Sequence, residues 1–261
     1  MTTLPVYILS VAAAQVAPVP GDVAVNVASF VGLIREAATR DVDLVVFPEL
    51  ALIGYDLGQL DAPDVWVSND DARLWPLRDV CIETGVTAIV GAAYHDPDGV
   101  PRLASLVFMP DGSRKTACKI HVHGTENDHF VAGAYPPTTI DVRGWKVAIA
   151  ICYDAAVPTH AIAAAGEHAD VYVTSAMYTV SEIRRLDLHF ASRAMDHRMF
   201  SLLANLSGSG PGWVSCGRSG TWGPDGEVRV TASTEPGLVI DRLPYAELLA
   251  FRTQRISSVA S

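Results

Sequence analysis

Lysine is scarce in this sequence. Only Lys115, Lys119 and Lys146 occur, and every other basic residue is an arginine. A chain that meets its generic need for positive charge with arginine draws attention to each lysine, because an ammonium is compact and titratable where a guanidinium is planar and permanently charged. Basic charge is low altogether: 19 Lys and Arg face 29 Asp and Glu, for a formal net charge of −10. No Lys/Arg-rich run interrupts that balance, which argues against a nucleic-acid partner. The four cysteines, Cys81, Cys118, Cys152 and Cys216, are scattered over 261 residues. That is not the pattern of a disulfide-stapled secreted scaffold, so reduced thiols in a cytoplasmic protein are expected. No apolar run reaches the roughly 18 residues of a membrane-spanning helix, so no membrane partner is expected. Residues 4–14 are apolar in the manner of a secretory leader, but no positive charge precedes them; the first basic residue is Arg35.

What the sequence does hold is apolar material: 49% hydrophobic residues against 18% charged, enough for a full core and too much for disorder. No internal repeat, low-complexity tract or linker divides it, and a single domain over residues 1–261 is expected. Short, nearly continuous apolar runs at 6–14, 43–47, 86–94, 102–109, 145–151, 171–175 and 201–205 read as strands, with further strands at 114–120, 218–222, 228–231 and 238–241. Asp22 is a helix cap for residues up to 40, with Val23, Val27, Phe30, Val31 and Ile34 on one face. Helices are also expected at 70–84, 158–167 and 183–197, and a long loop at 54–68. Turn signals such as Asp96-Pro-Asp-Gly and Pro110-Asp-Gly sit between strands, so the pattern is α/β with antiparallel hairpins rather than a simple βαβ alternation.

Three residues with complementary chemistry stand at strand ends. Glu49 follows the run 44–47, Lys119 ends the strand that begins near Arg114, and Cys152 ends the run 147–151. Strand ends are where a rigid scaffold stops and side chains become accessible. A free thiol has a pKa of about 8.5, so it needs an adjacent base or cation to act as a thiolate near neutral pH. Glu49 is able to take the proton, and Lys119 to stabilise both a thiolate and an oxyanion. The backbone N–H of Tyr153 supplies a second oxyanion donor. Taken singly, each has an ordinary explanation as core thiol, turn carboxylate or solvated lysine; the combination carries the signal.

The residues around the trio are specific. Phe47-Pro-Glu-Leu-Ala-Leu-Ile-Gly-Tyr55, Lys119-Ile-His-Val-His-Gly-Thr-Glu126 followed by Phe130 and Gly133, and Val147-Ala-Ile-Ala-Ile-Cys-Tyr-Asp154 resemble, in order, the three motifs of the nitrilase superfamily of carbon–nitrogen hydrolases. Weaker echoes follow at Gln15, Arg193-Ala194, Ala204-Asn205, Ser219 and the Pro224-Asp-Gly turn. The resemblance implies a four-layer α-β-β-α sandwich and a homodimer formed through the helices beside the nucleophile. It implies Glu49, Lys119 and Cys152 as catalytic residues, and Glu126 as a second carboxylate that positions substrate or assists proton transfer. No cofactor is implied. The Cys-Tyr-Asp segment is similar to amidase branches, so the expected reaction is hydrolysis of a small amide through a Cys152 thioester. A nitrile or an N-carbamoyl amine is the alternative substrate, and a catalytically silent relative the alternative class. Tyr55, Met177 and Tyr178 are the expected substrate contacts. Two departures bear on substrate and dimer geometry: Ala155-Ala-Val-Pro158 stands where many members have Phe-Pro-Glu, and Asp196-His197 where many have Glu-Asn.

Other constellations are weaker. Cys118, His121 and His123 form a C-x-x-H-x-H run, but a strand there would put Cys118 on the opposite face, and further ligands are missing; no metal is expected. His160 could pair with Cys152, though the sequence shows nothing to orient it. Ser207-Gly-Ser-Gly lacks the strand–loop–helix setting of a phosphate loop.

Overall fold

The apolar runs become strands because nearly all of them are covered on both faces, where alternation has no value. The computed structural model describes residues 7–253. Its first half supplies β1 (Ile8–Gln15), helix α1 (Val23–Ala38), β2 (Leu44–Val46), helix α2 (Trp75–Thr84), β3 (Thr87–His95), β4 (Pro101–Phe108) and β5 (Arg114–Cys118). The second half supplies β6 (Thr139–Val142), β7 (Trp145–Ile151), the single-turn helix α3 (Tyr153–Ala156), α4 (Pro158–Gly166), β8 (Val171–Ala176), α5 (Ile183–His197) and β9 (Phe200–Asn205). Four short strands follow, β10 (Ser209–Gly210), β11 (Trp213–Val214), β12 (Gly220–Trp222) and β13 (Val228–Thr231), and then the longer β14 (Gly237–Pro244) leading into α6 (Tyr245–Thr253).

One six-stranded sheet has the order β14-β1-β2-β3-β4-β5 and the other β13-β12-β9-β8-β7-β6. Each has three parallel strands at its centre, β1-β2-β3 and β7-β8-β9, and antiparallel partners outside them. This is the mixture of hairpins and crossovers that the turn signals implied. The sheets pack face to face through Leu9, Val11, Leu44, Val46, Val147, Val171 and Phe200. The outer face of the first sheet is covered by α1 and α2, through Phe30, Ile34 and Leu77. That of the second is covered by α4 and α5, through Ala161, Ala164, Leu186 and Phe190. The result is an α-β-β-α stack of four layers. Each fully buried Leu, Ile, Val or Phe in it is worth about 1.5–3 kcal/mol relative to exposure.

Several boundaries differ from the sequence reading for local reasons. The segment at 70–84 becomes a 3₁₀ turn, Ala72–Leu74, capped by Asp71, and α2 starts only at Trp75. Pro76 fits a first helical turn, where its missing N–H leaves no bond unmade. The loop at 54–68 contains two 3₁₀ turns, Leu57–Gln59 and Pro63–Val65. The last strand runs to Pro244 and is followed by α6, which the sequence reading did not include. Val6, expected to open the first strand, lies outside the described residues. Among those residues no helix is long and apolar enough to cross a membrane.

Candidate active site

Each residue of the expected trio is held by a backbone device at the end of a strand. After β2, Phe47 N–H donates to Ile89 O (2.8 Å), and the chain then turns tightly against β3, with Leu52 N–H donating to Gly91 O (3.0 Å). The turn presses on Gly91: a Cβ there would lie 2.1 Å from Pro48 O and 2.6 Å from Leu50 N. Glycine is required because the two backbones touch. After β5, Lys119 N–H donates to Leu103 O (2.8 Å), and its carbonyl accepts from Gly133 N–H (2.7 Å). A Cβ on Gly133 would meet Cys118 O at 2.6 Å, which explains the glycine noted in that motif. After β7, Cys152 has φ +46° and ψ −100°, a conformation that costs a non-glycine residue about 1–3 kcal/mol. Its N–H donates to Ser175 O on the neighbouring strand (2.9 Å), and α3 begins at the next residue.

These ends bring Glu49, Lys119 and Glu126 into one buried cluster. Lys119 Nζ lies 2.7 Å from Glu49 Oε1, 2.8 Å from Glu126 Oε1 and 2.7 Å from Glu126 Oε2. The three carry relative exposures of 1%, 0% and 3% for Lys119, Glu49 and Glu126. An ammonium has three donors, and all three face carboxylate oxygens. Glu126 is further fixed by Tyr55 Oη donating to Oε1 (2.8 Å) and His123 N–H donating to Oε2 (3.0 Å). The second oxygen of Glu49, Oε2, is buried without a full hydrogen bond, and the Cys152 thiol is close enough to act on this carboxyl.

The electrostatics follow from burial. Desolvation is the largest influence on Glu49 and raises it to about 7, against the pull of Lys119. Burial disfavours the Lys119 ammonium, but Glu49, Cys152 and Glu126 outweigh that and raise it above the ordinary lysine value. Burial and then the Glu49 charge push the Cys152 thiol well above the normal thiol range, Lys119 opposing them. The resting pair is therefore a protonated thiol beside a carboxyl poised near neutrality.

Tyr55, Met177, Tyr178 and Tyr153 line, with Lys119 and Cys152, a cavity of about 170 Å³. Tyr55 faces it while its hydroxyl orders Glu126. Tyr153 stacks its ring on His123 at 4.0 Å, and as the first residue of α3 its N–H lies outside the helical ladder. A larger cavity of about 260 Å³, bordered by Cys118, Ile151 and His160, includes neither Lys119 nor Cys152; the chemistry singles out the smaller one.

Asp154 belongs to the Cys-Tyr-Asp motif, yet nothing in the sequence assigns it a task. Its buried carboxylate accepts from Ile151 N (3.1 Å), Ile120 N (3.4 Å), His121 N (2.8 Å) and His121 Nδ1 (2.8 Å). It thereby joins the residue before Cys152 to the residues after Lys119. Burial would raise its carboxyl, but the His121 hydrogen bond and its other partners hold it below the usual value. Arg193 adds a clamp, donating to the carbonyls of Ala155 (3.0 Å) and Ala156 (3.3 Å) at the end of α3.

The competing constellations dissolve into such contacts. His121 is held by Asp154 and His123 by the Tyr153 ring, and among the described residues no three His, Cys, Asp or Glu side chains are grouped to hold a metal ion. His160 has the orienting partner that the sequence did not show: Tyr172 Oη lies 2.7 Å from its Nδ1, with Asp154 3.7 Å from its Nε2. Burial drives it down to about 4, so it stays neutral. Ser207-Gly-Ser-Gly leads into the small β10–β11 hairpin.

A four-layer stack with these strand-end residues defines a class. The chain matches the Carbon-nitrogen hydrolase family over residues 10–252 and belongs to it. A hydrolase in the pqqF 5′ region of Pseudomonas protegens is 28% identical over 242 residues, covering 90% of this chain and 82% of that protein. An (R)-stereoselective amidase of a Pseudomonas species is 27% identical over 247 residues, covering 91% and 86%. An amidase from Nesterenkonia sp. superposes with a TM-score of 0.83 at 24% identity, over 95% of this chain and 93% of that one. The protein is a carbon–nitrogen hydrolase, and amidases are among the proteins it is similar to.

Proposed function

We propose that the protein is a thiol-dependent amidohydrolase that cleaves a non-peptide C–N bond of a small amide through an acyl-Cys152 thioester. The observation that carries this reading is the buried Glu49 carboxyl, its Oε1 held by Lys119, its Oε2 without a full hydrogen bond, and the Cys152 thiol close enough to act on it. The thiol proton passes to Glu49 as sulfur attacks the amide carbonyl. The oxyanion is met by the Tyr153 N–H and by Lys119. Because all three Lys119 donors are engaged, that ammonium acts by its charge and by yielding one of its two contacts with Glu126. The tetrahedral species collapses as protonated Glu49 passes its proton to the leaving nitrogen, which departs as ammonia or an amine. Glu49, again a carboxylate, takes a proton from water as it attacks the thioester. It then returns that proton to sulfur as the acid is released.

Mass spectrometry after brief exposure to a slowly hydrolysed amide should find the acyl group on Cys152. Turnover that persisted in Cys152→Ala would sink the mechanism. A panel of amides, nitriles and N-carbamoyl amines, followed by ammonia and carbon dioxide release, separates the three substrate types.

A further inference from the structure

The cavity over Cys152 has two electrostatic ends. At one end, its floor, Lys119 and Glu126 line it, with Glu49 behind them on Lys119; once Glu49 is ionised, as the attack requires, the two carboxylates outnumber the ammonium by one charge. Glu182 and Arg185 also line it, at the start of α5. They are paired, Arg185 Nη1 to Glu182 Oε1 at 3.0 Å, but unequally. Glu182 has both oxygens occupied, since its Oε2 also accepts from the Thr179 N–H and hydroxyl, each at 3.1 Å. Arg185 has five N–H donors, and among the described residues that one bond to Glu182 is its only hydrogen bond to the protein. Its side chain is 51% exposed. Apart from Lys119, it is the only Lys or Arg lining this cavity. His189, against the Tyr178 hydroxyl at 3.0 Å, adds no further cation: burial, with Arg185 next, brings it down to about 4. Between floor and Arg185 the lining includes Ala156, Met177 and Tyr178, which offer mostly apolar surface.

A neutral amide can enter the negatively charged floor, whereas a carboxylate is repelled from it. A planar fork of unused guanidinium donors matches a carboxylate. We propose that the substrate is a small amide whose acyl chain ends in a carboxylate, bound by Arg185 while the amide carbon lies at Cys152. This rests on the amidase reading above and adds the substrate class. The free guanidinium donors at one end and the acidic cluster at the other favour one orientation of such a molecule, so binding energy from the remote carboxylate positions the reacting amide.

The test compares kcat/KM for the monoamides of succinic and glutaric acid with butyramide and valeramide, neutral amides of matching length. The acid amides should be favoured by about tenfold or more. In Arg185→Gln that ratio should fall about tenfold, mainly through KM for the acid amides, and Arg185→Lys should recover part of it by restoring charge without the fork. In Cys152→Ala, which lacks the nucleophile, calorimetry should detect binding of the glutaric acid monoamide, and Arg185→Gln added to the same protein should weaken that binding by a similar factor. Neutral amides turned over as well as the acid amides, or an acid preference that survives Arg185→Gln, would overturn the carboxylate assignment and leave the amidase reading standing. No turnover of either class, together with no acyl adduct on Cys152, overturns the amidase reading and this inference with it.

Discussion

Two buried acid clusters flank the Cys152 turn and treat their carboxylates in opposite ways. On one side, Glu49 keeps an oxygen without a full hydrogen bond, and burial lifts its carboxyl to about 7. On the other, Asp154 receives four N–H groups and is held below the usual carboxyl value. Both are nearly inaccessible to water, so burial alone does not decide what a carboxylate does. The count of donors decides it: a starved carboxylate is ready to bind a proton, and a saturated one anchors the chain around it.

The comparison can be broken by substitution. Removing the thiol in Cys152→Ala should cause the largest loss, a fall of about 10⁴-fold or more in kcat, read by ammonia release. Glu49→Gln keeps the shape but removes the base, and should lower kcat by about 10²–10⁴-fold. Asp154→Asn exchanges an acceptor-only group for one that brings its own donors into a ring of N–H groups. It should lower kcat by up to about 10²-fold through displacement of Cys152 and Lys119, and also lower the melting temperature. Should Glu49→Gln lose more stability than Asp154→Asn, the distinction between starved and saturated carboxylates fails. Tyr55→Phe removes one donor to Glu126 and should have the smallest effect, about 1 kcal/mol or roughly fivefold in kcat/KM.

Changing pH probes the same contrast without mutation. Glu49 must be ionised to accept the thiol proton, so kcat/KM should rise with pH through about 7 and lose this limb in Glu49→Gln. For stability the two acids have opposite signs. The folded protein holds the Glu49 proton more tightly than the unfolded chain, so its contribution falls as pH rises from near 4.5 to about 7. Asp154 has its folded value depressed, so its contribution is present above about 3.8 and lost as pH falls through the lower folded value. Melting temperatures across pH for the two variants check both signs.

Much of the site was legible because its parts are local: Glu49 and Cys152 follow apolar runs, Lys119 ends a shorter mixed segment, and each of these is a strand in the structure. The helix face of Val23, Val27, Phe30 and Ile34 was legible for the same reason, its period being that of a helix. What the sequence hid depends on distance along the chain. The Asp154–His121 bond and the His160–Tyr172 pair join elements that only the folded sheets bring together. The unpartnered oxygen of Glu49 is a property of a whole cluster. The helix α6 was not legible because Leu248 is its one buried residue, too little apolar periodicity to mark a helical face.

Gly91 gives the molecule a kind of modularity. The position of Glu49 is set by contact with a strand far along the chain, not by the loop that connects them. The loop between Tyr55 and α2, with its 3₁₀ turns, is therefore free to lengthen, shorten or change composition while the carboxylate stays in place. A methyl group at Gly91, remote from any substrate, would act on the reaction as a displacement of its base.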